Sequence, residues 1–188
     1  VTSKGSRFRK SVFEYVASEK GNANNKLIVE VNSFANPFPY QRLTIQSMVF
    51  DFLKQTNNEN YIEQYDLQPF EVNVLSKEQT LVEKMVSLVR FSFKENTVES
   101  ISHKIRHFYD LYHLMKNSEC IAFVASDSFK EQFDTILLHD RAMFEEPTGW
   151  QTKAISESPL VNDFSNVWQK LKEKYQTELS ALAYRPIP

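Results

Sequence analysis

The sequence predicts an α+β fold in which short strands come first and helices follow. Residues 11–18 and 26–34 show the alternation of apolar and polar positions that is typical of strands. From residue 76 onward, apolar positions recur at helical spacing instead. Only 3 of the 188 residues are glycine, which argues against a barrel with many turns and against a glycine-rich phosphate loop. Strands followed by helices are the pattern of the α+β class.

The first predicted elements form a hairpin. The strands SVFEYVAS (11–18) and KLIVEVNSF (26–34) flank a turn rich in glycine and asparagine at 21–25. Glu30 projects from the polar face of the second strand. An exposed strand acid is the ordinary explanation of this residue, and a ligand to a magnesium ion is the functional one. The prolines of NPFPY (36–40) cannot continue a ladder, so a loop is predicted there.

In the middle of the chain, the sequence allows more than one secondary structure. Residues 44–54 fit a short helix or a strand, and residues 70–75 (FEVNVL) predict one more short strand. Ser76 followed by Gln79 is a capping-box signature, which predicts the start of a helix. We therefore expect a β-rich part at 1–75 and a helical part at 76–188.

The second half is predicted to be helical with one irregular link. The first helix continues through TLVEKMVSLVRFSF, and the link is bracketed by prolines and a glycine. The later helices are expected at about 99–116, 127–144 and 164–183, and the bracketing residues are Pro147, Gly149 and Pro159.

Composition limits the function classes. The chain has 22 basic and 24 acidic residues and a formal net charge of −2, so any contact with nucleic acid needs a local basic patch. The single Cys120 excludes an intramolecular disulfide and a cysteine-rich zinc site. No apolar run approaches the ~18 residues of a membrane span, and no signal peptide is visible. A cytoplasmic location without a membrane partner is expected.

Two charged side chains lie beside apolar helix stripes, and each has a structural and a functional explanation. Residues 104–112 read KIRHFYDLY, in which Asp110 lies among aromatic residues and shares a helix face with Arg106. Asp110 is either half of an exposed pair with Arg106, worth about 0.5 kcal/mol or less, or a catalytic acid that the aromatic residues hold in place. Lys84 is either a long side chain that reaches to water or a point charge that binds phosphate.

Two histidines have a spacing that occurs in metal sites. His103 and His107 are spaced i, i+4, as two ligands could be, but no third ligand or acidic partner completes a recognised spacing. A metal site at these histidines is therefore not predicted.

Two motifs together resemble a known family. The stretch VNVLSKEQTLVEKMVSLVR (72–90), followed by IRHFYDLYHLM (105–115), resembles the nucleotidyltransferase family of AbiEii/AbiGii-type toxins from abortive-infection and type IV toxin–antitoxin systems. Members typically carry a Glu-Lys pair on one helix and a pattern like R-H/D-F/Y-Y-D-L-Y on a later one. The resemblance covers roughly residues 12–116. It implies a bacterial defence protein with a small sheet of the polymerase-β nucleotidyltransferase type, followed by a helical bundle.

The resemblance also implies roles for individual residues. Lys84 and Asp110 would be catalytic, with Asp110 acting as a general base or a positioning acid. Lys84 and Arg106 would bind a nucleoside triphosphate. The family uses Mg²⁺, and Glu30, on the polar face of its strand, is the candidate in this sequence to help hold that ion. An RNA acceptor and an antitoxin protein are the implied partners. If these roles hold, Lys84 and Asp110 should converge on one cleft, with Glu30 on the facing sheet.

One part of the family pattern is missing from the sequence. The family signature opens with a Gly-Gly or Gly-Ser turn and an Asp-x-Asp pair that holds the metal. No two of the seven aspartates here have that spacing, and Gly5-Ser6 is not followed by such a pair. Together with the missing initiator methionine, this predicts a carboxy-terminal fragment of a longer toxin. Such a fragment would bind magnesium poorly and be inactive in transfer by itself.

Two other functions fit the same sequence. One is a non-catalytic helical module that docks a partner protein, and the other is a degenerate family member that binds nucleotide without chemistry. An Asp-x-Asp motif encoded immediately upstream of Val1 would favour the catalytic hypothesis over both.

Overall fold

The computed structural model describes residues 2–3, 8–16, 25–33, 40–180 and 187. Within these ranges, small antiparallel sheets come first and helices follow, so the predicted α+β class is confirmed. The chain divides into two compact units, one formed by residues 1–36 with 81–188 and the other by residues 37–80. No helix in the described ranges is long and apolar enough to cross a membrane.

The amino-terminal hairpin has the predicted form. Strands β1 (Thr2–Ser3), β2 (Phe8–Glu14) and β3 (Lys26–Asn32) make an antiparallel sheet in that order. The register places Lys10 opposite Glu30. Strand β2 begins three residues earlier than the alternation indicated and ends at Glu14. The predicted turn at 21–25 falls outside the described residues except for Asn25.

Residues 37–80 contain both of the alternatives predicted for the ambiguous segment. Strand β4 (Tyr40–Ile45) ends just before helix α1 (Met48–Gln55). The helix starts there because Ser47 caps it, with its Oγ accepting the backbone N–H of Phe50 at 3.0 Å. Of the loop predicted at 36–40, residues 36–39 lie outside the described residues, and the prediction is wrong for Tyr40, whose backbone pairs with Leu75 of strand β5 (Phe70–Leu75).

The remainder of this unit completes the sheet. Helix α2 (Asn60–Gln64), which the sequence did not predict, precedes strand β5 (Phe70–Leu75), and β4 and β5 pair antiparallel. Asn57 and Asp66 follow the two helices with φ of 55° and 51°. These residue types tolerate the left-handed conformation that commonly ends a helix.

The helices after β5 match the prediction in part. Helix α3 (Lys77–Ser92) begins at the predicted cap, where Gln79 donates its backbone N–H to Ser76 Oγ at 3.1 Å. The helices that follow are α4 (Thr97–Ser102), α5 (Ile105–Leu114), α6 (Ser118–Val124), α7 (Asp127–Met143), α8 (Pro159–Asn162) and α9 (Phe164–Ser180). The sequence did not predict α6 or α8.

The prediction of one helix over 99–116 is wrong, since a turn at His103 and Lys104 separates α4 from α5. No glycine or proline marks this break. Ser102 Oγ donates to the Glu99 carbonyl at 2.6 Å, a local bond that competes with regular helix.

Helix α3 belongs to two hydrophobic clusters at once. Its residues Leu81, Val82 and Val86 pack with α6, α7 and the fully buried Trp150. Leu88, nearer its carboxyl end, packs with α4, α5 and α9. Contacts on two sides fix the orientation of α3, and therefore the direction in which its polar side chains point.

Candidate functional site

Helices α3 and α5 bring Lys84 and Asp110 into direct contact. The Lys84 Nζ donates to Asp110 Oδ2 at 2.6 Å, although the two residues are 26 positions apart in the sequence. The side chain of Lys84 is 21% exposed and that of Asp110 is 40% exposed. The pair therefore lies at the edge of the helical core, partly shielded but open to a ligand from solvent.

The exposed Arg106–Asp110 pair suggested by their spacing is not formed. Asp110 is bonded to Lys84, and Arg106 has no ion pair within the described residues. Lys84 is the better partner because it approaches from a neighbouring helix at a less exposed position, where water competes less for the carboxylate.

Buried and aromatic residues pack around the contact between Lys84 and Asp110. Leu81 and Leu88 lie near Lys84 on α3 and have almost no exposed surface. On α5, Ile105 is buried and the ring of Phe108 packs against Trp168 with centroids 5.4 Å apart. The aromatic residues around Asp110 thus anchor α5 to α9. Such packing holds the carboxylate in place before any ligand arrives, as a preorganised site requires.

His107 belongs to the same electrostatic environment. Burial and, to a lesser extent, the positive charges of Lys84 and Lys104 together lower its pKa to about 4, although the charge of Asp110 acts in the opposite direction. The imidazole is therefore neutral at physiological pH. The spacing of His107 from His103 suggested no role except that of a metal ligand. The signal for its actual position was its place three residues before Asp110, on the same helix face.

This environment makes a prediction about pH. The pKa of His107 is about 4 in the folded protein and about 6.5 in an unfolded chain, so between these values the unfolded chain binds more protons. Stability contributed by the neutral imidazole should therefore be lost as pH falls from about 6.5 towards 4. Between pH 7 and pH 4.5, the free energy of unfolding measured with urea should fall less in His107→Gln than in the wild type. His113→Gln, at an exposed position on the same helix, is the control, and an unchanged loss in His107→Gln would contradict the assignment.

Glu30 takes part in a different ion pair, on the amino-terminal hairpin. It pairs across the hairpin with Lys10 at 3.1 Å, and both side chains are well exposed. In the part of the chain that the structure describes, no group of three or more histidine, cysteine, aspartate or glutamate side chains could hold a metal ion. A single carboxylate that already pairs with a lysine does not fit Mg²⁺, which needs several oxygen ligands.

Comparison with known proteins gives one result. Residues 1–185 match the family model described as nucleotidyl transferase AbiEii toxin, type IV TA system. Neither a curated protein nor a solved structure matches the chain. The match covers the hairpin, the 37–80 unit and the helices that carry Lys84 and Asp110.

Proposed function

The chain belongs to the AbiEii family of nucleotidyl transferase toxins from type IV toxin–antitoxin systems, and on that premise we propose that Lys84 and Asp110 form part of its nucleotide-transfer site. The observation that carries the proposal is their contact at 2.6 Å. The two residues stand at the lysine and aspartate positions of the two motifs that resemble the family. A nucleoside triphosphate and an antitoxin protein are the partners that membership implies.

Lys84 is suited to bind the triphosphate. A lysine ammonium has three donors, and the bond to Asp110 uses one of them. Transfer of a phosphoryl-type group depends mainly on alignment and on neutralising the charge of the phosphates. Arg106, exposed on the first turn of α5, is the second cation that we assign to the nucleotide.

Asp110 is suited to position the attacking hydroxyl. Its Oδ2 accepts from Lys84, and an ionised carboxylate keeps acceptor capacity on its second oxygen. With 40% of the side chain exposed, an acceptor hydroxyl can reach that oxygen and pass its proton to it, while the hydroxyl oxygen bonds to the α-phosphorus of the triphosphate and pyrophosphate leaves. Divalent metal ions are general among nucleotidyl transferases, but the described residues offer no group of three or more ligands for one, and the roles proposed for Lys84, Arg106 and Asp110 do not depend on one.

Nucleotide binding tests the proposal. Lys84→Met in the 188-residue chain should weaken binding of a fluorescent ATP analogue by about 10-fold or more, because one charge-assisted bond to phosphate is lost. Lys172→Met removes the same charge from an exposed position on α9 and should leave the affinity within about two-fold. Circular dichroism checks that both variants fold. Equal affinities in wild type and Lys84→Met would remove the nucleotide role of Lys84.

A further inference from the structure

Strand β3 leaves one edge of the amino-terminal sheet open. It stands last in the order β1-β2-β3, and among the strands that the structure describes none pairs with its outer edge. All seven of its positions are exposed. An unpaired edge of this length is a template for another strand unless its side chains prevent the pairing. The backbone groups and the charges along β3 therefore determine which strand can pair there.

The backbone groups on the outer edge are those of Lys26, Ile28 and Glu30. The N–H of Tyr15 donates to the carbonyl of Asn25 at 3.0 Å, so these two opposed residues form a hydrogen-bonded pair. The register between β2 and β3 continues from there without a bulge. Hydrogen-bonded and non-hydrogen-bonded pairs alternate in an antiparallel ladder. Every second residue of β3, beginning with Lys26, therefore points its N–H and C=O away from β2.

The charges on β3 are spaced for pairing with a second β3 strand. Lys26 and Glu30 lie on the same face because they are four residues apart. In an antiparallel pair centred on Ile28, Lys26 of each copy lies opposite Glu30 of the other, and outward backbone groups meet to form about six hydrogen bonds. A shift of the register by two residues puts one of the charges opposite Ile28 instead, and a shift by four puts like charges opposite each other.

The ion pairs inside each hairpin extend this pattern. Lys10 lies 3.1 Å from Glu30, and Lys26 lies 3.3 Å from Glu14. With two hairpins joined at β3, the order across the four strands is Glu14 and Lys26 of one copy, then Glu30 and Lys10 of the second copy. The charges alternate in sign along this row. Opposite charges on adjacent strands stabilise a sheet, whereas like charges destabilise it.

The opposite face of β3 supplies an apolar contact in the same register. Leu27, Val29 and Val31 are 57%, 42% and 60% exposed. Leu27 of each copy lies opposite Val29 of the other as a non-hydrogen-bonded pair, in which the side chains come closest. Pairing of the two edges therefore covers apolar surface that the single chain exposes to water.

We propose that the outer edge of β3 is the contact of a two-fold symmetric dimer of this chain, in which two β3 strands pair antiparallel about Ile28. The same residues contribute from both copies, as a two-fold axis requires. The inference does not use the Lys84–Asp110 pair, so it stands or falls independently of the proposed function. One strand edge is smaller than an interface of standard size, so the dimer should depend on concentration.

Sedimentation velocity of the 188-residue chain, from about 1 to 300 μM, tests the dimer. The wild type should move towards twice the monomer mass as its concentration rises. Glu30→Lys puts a lysine opposite Lys26 of the second copy, and Lys26→Glu puts a glutamate opposite Glu30. Each variant alone should dimerise about 10-fold more weakly or worse. An equimolar mixture of the two should return to within about three-fold of the wild type, because every lysine then faces a glutamate.

Lys10→Glu is the matched control. It reverses one charge and breaks the ion pair with Glu30, but it leaves the edge of β3 unchanged, so it should dimerise within about three-fold of the wild type. Circular dichroism checks that each variant folds. A wild type that stays monomeric at about 300 μM would overturn the proposal. Single variants that dimerise like the wild type, or a mixture that associates no better than its components, would place any dimer contact away from β3.

Discussion

Asp110→Asn should lower the rate of nucleotide transfer by roughly 100- to 10,000-fold, the range expected when a positioned acid or base is removed. Asparagine keeps the shape of the side chain but loses the negative charge and the capacity to take a proton. The pair with Lys84 is partly exposed, so its loss should change the free energy of unfolding by about 1 kcal/mol or less. A large loss of rate in a protein of nearly unchanged stability separates a catalytic aspartate from a structural one.

The measurement needs the natural protein that carries this sequence. Transfer from a labelled nucleoside triphosphate to RNA, or growth inhibition on expression, should be measured on the same preparations as the melting temperature. Asp134→Asn makes the same chemical change at an exposed position on α7 and should keep full activity. A well-folded Asp110→Asn protein with wild-type activity would leave Asp110 as a surface residue paired with Lys84.

The contrast between Arg106 and Lys84 as partners of Asp110 shows what periodicity can predict. Helical spacing compares a residue only with its own helix, so it favoured Arg106, one turn away. The observed partner comes from α3 and depends on how α3 and α5 pack. The apolar stripes indicated that both Lys84 and Asp110 flank buried faces, and the family resemblance supplied the link between them.

Local signals explain which elements were predicted well. The Ser76 cap and the continuous stripe of α3 are properties of neighbouring residues, so the start of that helix was predicted closely. At the break between α4 and α5, the Ser102 hydroxyl donates to the Glu99 carbonyl at 2.6 Å and accepts from Lys174 of α9 at 2.9 Å. A contact with a helix that is distant in the sequence cannot be predicted from the neighbouring residues.

The buried ion pair near Trp150 could not be predicted from neighbouring residues either. We expect its removal to have the largest effect on stability. The guanidinium of Arg90 stacks on the Phe144 ring at 3.7 Å and faces Asp140 at 3.6 Å. The two side chains of the pair are only 11% and 16% exposed. Burial lowers the pKa of Arg90 and raises the pKa of Asp140, while each charge opposes the shift of the other. His139 Nδ1 lies 3.5 Å from the same carboxylate.

Asp140→Ala should therefore lower the free energy of unfolding by about 3–5 kcal/mol, because it leaves the Arg90 charge buried without its partner. Urea unfolding at pH 7 measures the change, and Asp134→Ala, exposed on the same helix, should stay within about 0.5 kcal/mol. Arg90→Met/Asp140→Leu removes both charges and should be more stable than Asp140→Ala, since an apolar pair can replace a buried ion pair at little cost. That ordering remains measurable even if Asp140→Ala fails to fold. A loss below about 1 kcal/mol in Asp140→Ala would instead mean that water or the Phe144 ring compensates the guanidinium, and that the carboxylate contributes little to holding α3 against α7.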